Sequence, residues 1–402
     1  MKTSRFLTMI ASQGAEPQLP PMLLRDEFTT DLAAGSVNGT NAEPSGHLRT
    51  VVDTGNRLSL SGGKLLMAGG GSAYGQPKLL YPAYTRVKGG SLWTQIKHSS
   101  STIGCGIGFH RADANFSAGI DAYCNLGGTW TLRTADAKFL DTANNLDYQI
   151  GVVLRTVGSY FFIKGQAFTE WTLGWIDKST TGSGYPGISN WSGAWNQEFM
   201  RMPLAPVYPL PLASDSFNRA DAALGVTDGV ETDSTATSKP AWTDRQGTFG
   251  IVTNKAQASA VDGTTGFAIS TVPVGSANVF LEATVTRSAG SVGLVAWYTD
   301  ADNHIRLVHN GTNLQLIRRV AGTDTTVAEI AATIGRIVLM TDGTTVRGWS
   351  SDVARIVTTV AQVTPTSVCG IFTSGTGNTL DLFTAWNRKA GAYTAFDAFF
   401  RG

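Results

Sequence analysis

An imbalance of charge is the first thing this 402-residue sequence lacks: 31 lysines and arginines face 30 aspartates and glutamates, a formal net charge of +1. Binding nucleic acid or an acidic membrane through phosphates needs a concentrated cationic surface, so neither partner is expected. Cysteine is scarce as well. Three residues, Cys105, Cys124 and Cys369, cannot build a disulfide framework. They sit in apolar, strand-like runs and read as buried thiols, with a Cys105–Cys124 bridge as the alternative. No run of about 18 apolar residues is present to span a membrane. No long window repeats its apolar residues with a helical period. A cleaved export signal is not expected, because the apolar stretch from Phe6 to Ala11 is short and no small-residue cleavage site follows it.

What is present is enough apolar residue for a sizeable core, 42% of the chain, together with 46 glycines. Short runs rich in Val, Ile, Thr, Trp and Phe alternate with Gly, Asn and Asp turns, as in Tyr160–Lys164, Asn278–Val285 and His304–His309. Such spacing predicts an all-β sandwich or barrel. The order of signals also repeats. Asp26-Glu-Phe28 is answered by Asp215-Ser-Phe217. The hairpin pattern at Leu58–Leu65, with Gly62-Gly63 at its turn, is answered at Phe249–Ala256 with Thr253-Asn254. Gly106–Phe109 matches Gly293–Trp297, and Pro186-Gly187-Ile188 matches Cys369-Gly370-Ile371. A tandem duplication leaves this trace. Four prolines between Pro203 and Pro211 mark an extended connector. The expected division is an N-terminal arm (1–23), a first sandwich domain (24–202), a Pro-rich linker (203–212) and a second sandwich domain (213–402).

The second half adds Trp242, then Gly247-Thr-Phe249-Gly-Ile251, Asn254-Lys255 and Gly293–Tyr298 followed by Asp300-Ala-Asp302-Asn303. In this order the residues resemble the concanavalin A-like (laminin-G-like) jelly-roll sandwich of tailed-phage virion and bacterial surface proteins. The resemblance implies two tandem jelly rolls. It leaves activity open, since such modules include glycan binders and purely structural members.

Catalytic signals are few. The resemblance implies that a glycosidase of this fold would carry a Glu-x-Asp-x-x-Glu strand, which sets two carboxylates about 5 Å apart. None of the eight glutamates stands in that spacing. No Gly-x-Ser-x-Gly elbow, phosphate loop or His-Glu-x-x-His occurs either. His304 and His309, five apart on one strand, face opposite sides and cannot share a metal. Asp300, Asp302 and Asn303 could offer oxygens to Ca²⁺ at a loop rim, which the resemblance also implies; the alternative is a turn that caps its own backbone. No other cofactor is expected. Six of the ten tryptophans lie in the first half, and Trp171, Trp175, Trp191 and Trp195 are candidate contacts for glycan or protein, with burial in the sandwich core as the alternative.

The expected function is a non-enzymatic structural component of a phage virion, in the tail, baseplate or surface decoration. It would be assembled in the host cytoplasm as a homo-oligomer with other virion proteins. Phe6, Leu7, Met9 and Ile10 would form an assembly arm, because apolar side chains on a tail need a surface to cover. The alternative is a glycan-binding adhesin or lectin-like protein, extracellular or at the cell surface, with a cell-surface glycan as its partner.

Overall fold

The computed structural model describes residues 22–53, 55–67, 78–82, 90–98, 105–111, 119–125, 129–132, 138–140, 147–156, 158–165, 168–178, 184–190, 195–203, 209–231, 234–351, 354–389 and 391–400. The assembly-arm residues Phe6, Leu7, Met9 and Ile10 lie outside them. The architecture is all-β sandwich: strands form two nine-stranded and two seven-stranded antiparallel sheets, and Gly391–Phe400 is a 3-10 helix. Among the described residues no helix is long and apolar enough to cross a membrane.

Strand order repeats along the chain. The first seven-stranded sheet runs Thr50–Val52, Lys78–Leu80, Gly184–Asn190, Cys105–Arg111, Gly119–Asn125, Thr129–Leu132, Lys138–Leu140. The second runs Thr243–Gln246, Ala268–Pro273, Val368–Thr373, Val292–Asp300, Asn303–His309, Asn313–Val320, Thr323–Ala331, the same succession of connections. Both expected hairpins are present. Gly62 and Gly63, then Thr253 and Asn254, all have positive φ, as a two-residue turn matched to strand twist requires. Cys105 and Cys124 stand directly opposite each other on paired strands. Cys369 is a buried free thiol.

Each half opens on a buried carboxylate that ties its first strand to distant loops. Asp26 accepts Arg49 Nε at 2.7 Å, Tyr81 Oη at 2.8 Å and the Phe28 amide at 3.2 Å. Asp215 accepts Arg219 Nη2 at 3.0 Å, Trp242 Nε1 at 2.7 Å and the Phe217 amide at 2.9 Å. Phe28 and Phe217 share a φ of 53°, a left-handed conformation a phenylalanine holds only when its surroundings impose it. The same carboxylate, aromatic donor and arginine thus recur with different partner residues.

The four sheets stack in layers. The inner, nine-stranded sheets face each other, and each seven-stranded sheet lies outside. Alternation along single strands shows this. Leu281, Leu339 and Ala385 point into the second sandwich, while their neighbours Phe280, Val338, Met340 and Trp386 join the core of the first. Trp175 meets Trp349 at 5.0 Å and Phe280 at 5.8 Å across this seam. The Leu173 amide donates to the Arg388 carbonyl at 2.9 Å, and Arg336 Nη2 to the Ile176 carbonyl at 2.8 Å. Glu282, fully buried there, binds Arg336 and Lys178 at 2.5 Å each.

The two opening carboxylates predict unequal costs. Arg49 is 1% exposed, whereas the Arg219 side chain is 28% exposed and can turn to water. Asp26→Ala strands a buried guanidinium and should cost about 3–5 kcal/mol. Asp215→Ala should cost about 1–3 kcal/mol, the range for a lost buried hydrogen-bond partner. Urea unfolding of both variants checks the order; equal losses would refute it.

Candidate functional site on the second outer sheet

The side of the second seven-stranded sheet turned away from the core carries its own layer of rings and guanidinium groups. Phe267, Ile269, Val295, Tyr298, Val308 and Phe372 form a separate buried cluster there. Strand periodicity puts Val308, Arg306 and His304 on this side, alternating with the core residues Leu307 and Ile305. Tyr298 reaches it by an irregularity. Simple alternation from Val295 would send Trp297 outward and Tyr298 into the core. The register shifts after Ala296, Trp297 takes a φ of 51°, and the two exchange faces. Trp297 packs in the core with its Nε1 on the Ala277 carbonyl at 3.0 Å, and Tyr298 joins the outer layer. The bulge re-aims a ring, a common use of such insertions.

The layer is tightly interlocked. His304 stacks on Tyr298 at 5.7 Å and 22°. The Arg306 guanidinium lies 5.2 Å from the Phe267 ring and 4.8 Å from that of Phe372. Arg319 covers Phe267 at 5.3 Å, and Arg245 covers Tyr298 at 5.7 Å. Asp324 accepts from both Arg306 and Arg319. Arg306 Nη1 stands 3.1 Å from His304 Nε2, and His304 Nδ1 is 3.4 Å from the Asp300 carbonyl oxygen. Since a guanidinium can only donate, the imidazole is neutral with its proton on Nδ1. Burial, and then the Arg306 charge, push His304 down to about 4. Among the described residues, Arg306 Nε and Gln246 Oε1, both buried, find no partner. Gln246 pairs with Ile269, so the two strands at which these atoms lie span most of the sheet.

The candidates read from sequence fall elsewhere. Trp171 and Trp175 are 3% and 0% exposed, held in the seam between the inner sheets and under the C-terminal helix, so neither offers a ring face to an external glycan. Trp191 lies outside the described residues, as does the side chain of Trp195, whose strand pairs with Met67 and His98. Asp300, Asp302 and Asn303 do come together, but on one another. Asp300 oxygens accept the Asp302 amide at 2.8 Å and Asn303 Nδ2 at 2.9 and 3.1 Å, and Asn303 Oδ1 takes the Ala321 amide. With Arg319 3.7 Å from Asp302, the arrangement is a self-capping turn beside a cation. Among the described residues no three His, Cys, Asp or Glu side chains gather as a metal site. His304 and His309 do face opposite ways, the latter to the Ala332 carbonyl at 3.0 Å. Sequence reasoning missed the guanidinium–aromatic layer. His304-Ile-Arg306 showed two polar residues on one strand face, but nothing local placed Phe267 or Phe372 beside them.

No protein-family model matches the chain, and no curated protein sequence does. Solved structures are similar at low identity. A carbohydrate-binding module, CBM66, from Bacillus subtilis is 15% identical, with a TM-score of 0.27 over 37% of this chain and 92% of the module. A GlcNAcα1-4Gal-releasing endo-β-galactosidase from Clostridium perfringens is 9% identical, with a TM-score of 0.33 over 88% of this chain and 96% of that one. A xylan β-1,4-xylosidase from Bacillus halodurans C-125 is 11% identical, with a TM-score of 0.31 over 92% of this chain and 89% of that one. Likenesses this distant transfer no activity. The expectation that the chain is not an enzyme is nonetheless corrected: the absent Glu-x-Asp-x-x-Glu motif excludes only one catalytic arrangement, and glycoside hydrolases stand among the similar structures. None of the three is a virion protein.

Acid should loosen this face first. His304 has a folded-state pKa below the ordinary 6.5, so the unfolded chain takes up the proton earlier and stability is lost as pH falls from 6.5 toward 4. From pH 7 to pH 5 the loss attributable to His304 should be about 2 kcal/mol. His304→Gln should flatten that part of the profile in denaturant titrations; an unchanged slope would clear His304 of the effect.

Proposed function

We propose that the chain is a carbohydrate-binding protein of two β-sandwich domains, 24–202 and 213–402, and that the outward face of the second seven-stranded sheet contacts the glycan. The unpartnered Arg306 Nε and Gln246 Oε1 carry this reading. A buried donor and a buried acceptor left unpaired on an outward sheet face are costly unless a ligand or solvent completes them. Sugar hydroxyls both donate and accept, so a polyol can complete a donor and an acceptor alike. The virion reading draws only on sequence features, chief among them the arm outside the described residues, and the fold adds nothing to it.

The test is a panel of soluble polysaccharides titrated calorimetrically against wild type, Arg306→Ala and Gln246→Ala. A glycan bound by wild type should lose at least tenfold in affinity with either variant, a change of about 1.4 kcal/mol or more. A glycan bound equally by all three would put the site elsewhere. Reducing ends released from the bound polymer would measure whether hydrolysis accompanies binding.

A further inference from the structure

The 3-10 helix Gly391–Phe400 belongs to the last segment of the chain but lies on the first half. Its contacts resemble a bound peptide more than a chain terminus. Phe396 packs 4.6 Å from Trp93, 4.9 Å from Phe162 and 5.8 Å from Trp171. Tyr393 meets Phe162 at 4.9 Å, and Phe400 meets Trp171 at 5.2 Å. Asp397 receives Lys164 Nζ at 2.6 Å and Trp171 Nε1 at 2.9 Å, while Arg201 Nη1 donates to the Phe399 carbonyl at 2.7 Å. Ten residues of 3-10 helix are longer than that conformation usually sustains, so the groove must shape the segment.

The groove is built into the sheet. Gly151 is the cross-strand partner of both Trp93 and Phe162. A Cβ at Gly151 would lie 2.2 Å from the Trp93 ring, so only glycine lets the indole lie flat across the strand. The result is an aromatic floor with Lys164 at its rim, facing a segment whose one charge is the Asp397 carboxylate, while Arg201, itself paired with Glu27, donates to the segment's backbone.

We infer that this groove is a peptide-docking site for an aromatic segment bearing one carboxylate, and that the Gly391–Phe400 segment of a second copy of the chain fills it when the resident segment is displaced. Shape and charge complementarity are already displayed by the resident segment. Along the chain it is joined to the groove through the 189 residues between Arg201 and Gly391, so the contact itself is noncovalent and can be made in trans. In one chain the tether keeps the local concentration high, which holds the site closed to competitors.

The probe is a peptide of residues 389–400 with an N-terminal fluorophore, followed by anisotropy on full-length proteins. Phe396→Ala, which weakens the resident segment, should bind the peptide at least tenfold more tightly than wild type. An Asp397→Ala peptide should bind that variant about tenfold more weakly than the native peptide, as expected for loss of charge-assisted hydrogen bonds. Equal affinity for wild type and Phe396→Ala, or no binding to a Phe396→Ala protein with native circular dichroism, would overturn the inference. Should Phe396→Ala not fold, the full-length Asp397→Ala protein, which loses only bonds at the rim, must itself bind the native peptide severalfold more tightly than wild type does. Its failure to do so overturns the proposal equally.

Discussion

Burial of the two inner sheets against each other is the constraint on which the other features rest. A strand buried on both faces cannot alternate apolar with polar residues, and these do not. Ser159 to Ile163 are all buried, as are Val279 to Ala283. Each inner sheet therefore presents two apolar faces, one for its own sandwich and one for the other. The polar groups trapped in the seam must then pair there. Burial alone would raise the Glu282 carboxyl, but Arg336, Lys178 and Arg155 outweigh it and hold it at about 2. Arg155 in turn pairs with Glu231 across the same seam. Such buried pairs add little net stability but are expensive to break, so they favour one register of the two sheets over others.

That seam also explains which signals were legible in the sequence. Turn chemistry is local, and Gly62-Gly63 and Thr253-Asn254 mark their hairpins without any knowledge of the rest. The repeated Asp-x-Phe was visible for the same reason, although its meaning was not. The arginine on Asp215 is four residues away, whereas the one on Asp26 is Arg49, 23 residues on, and the aromatic donors Tyr81 and Trp242 stand just outside the ends of other strands. Tryptophan carries no mark that distinguishes a surface platform from a seam. Trp171 and Trp175 are consistent with either until Phe280, Trp349 and Phe396, more than a hundred residues later, are seen to cover them. The outward place of Tyr298 was not legible, because the bulge at Trp297 changes parity without a fixed sequence signal. Asp300–Asn303 has the composition of a calcium loop and of a self-capping turn alike; Arg319, on a neighbouring strand, tips it toward the turn.

The two outer sheets separate what the backbone requires from what the chemistry varies. Gly187 pairs with Gly108 in one, and Gly370 with Val295 in the other. A Cβ at Gly187 would come within 2.5 Å of the Leu79 carbonyl oxygen, and one at Gly370 within 2.0 Å of that of Ser270. These carbonyls are equivalent in the two sheets, each one residue before the glycine's other cross-strand partner. Glycine is thus fixed at this place by a steric demand that any ligand would leave unchanged. One strand further on the halves diverge, for Gly108 faces Asp121 while Val295 faces Arg306. An acid stands at the register position of the base around which Phe267, Phe372 and Asp324 are arranged. The ladders on either side of that position are the same, so the strand order does not require a charge of either sign there. Among the described residues the guanidinium–aromatic layer lies on the second outer sheet, and a contact that depends on Arg306 would meet an acid at the matching register position of the first.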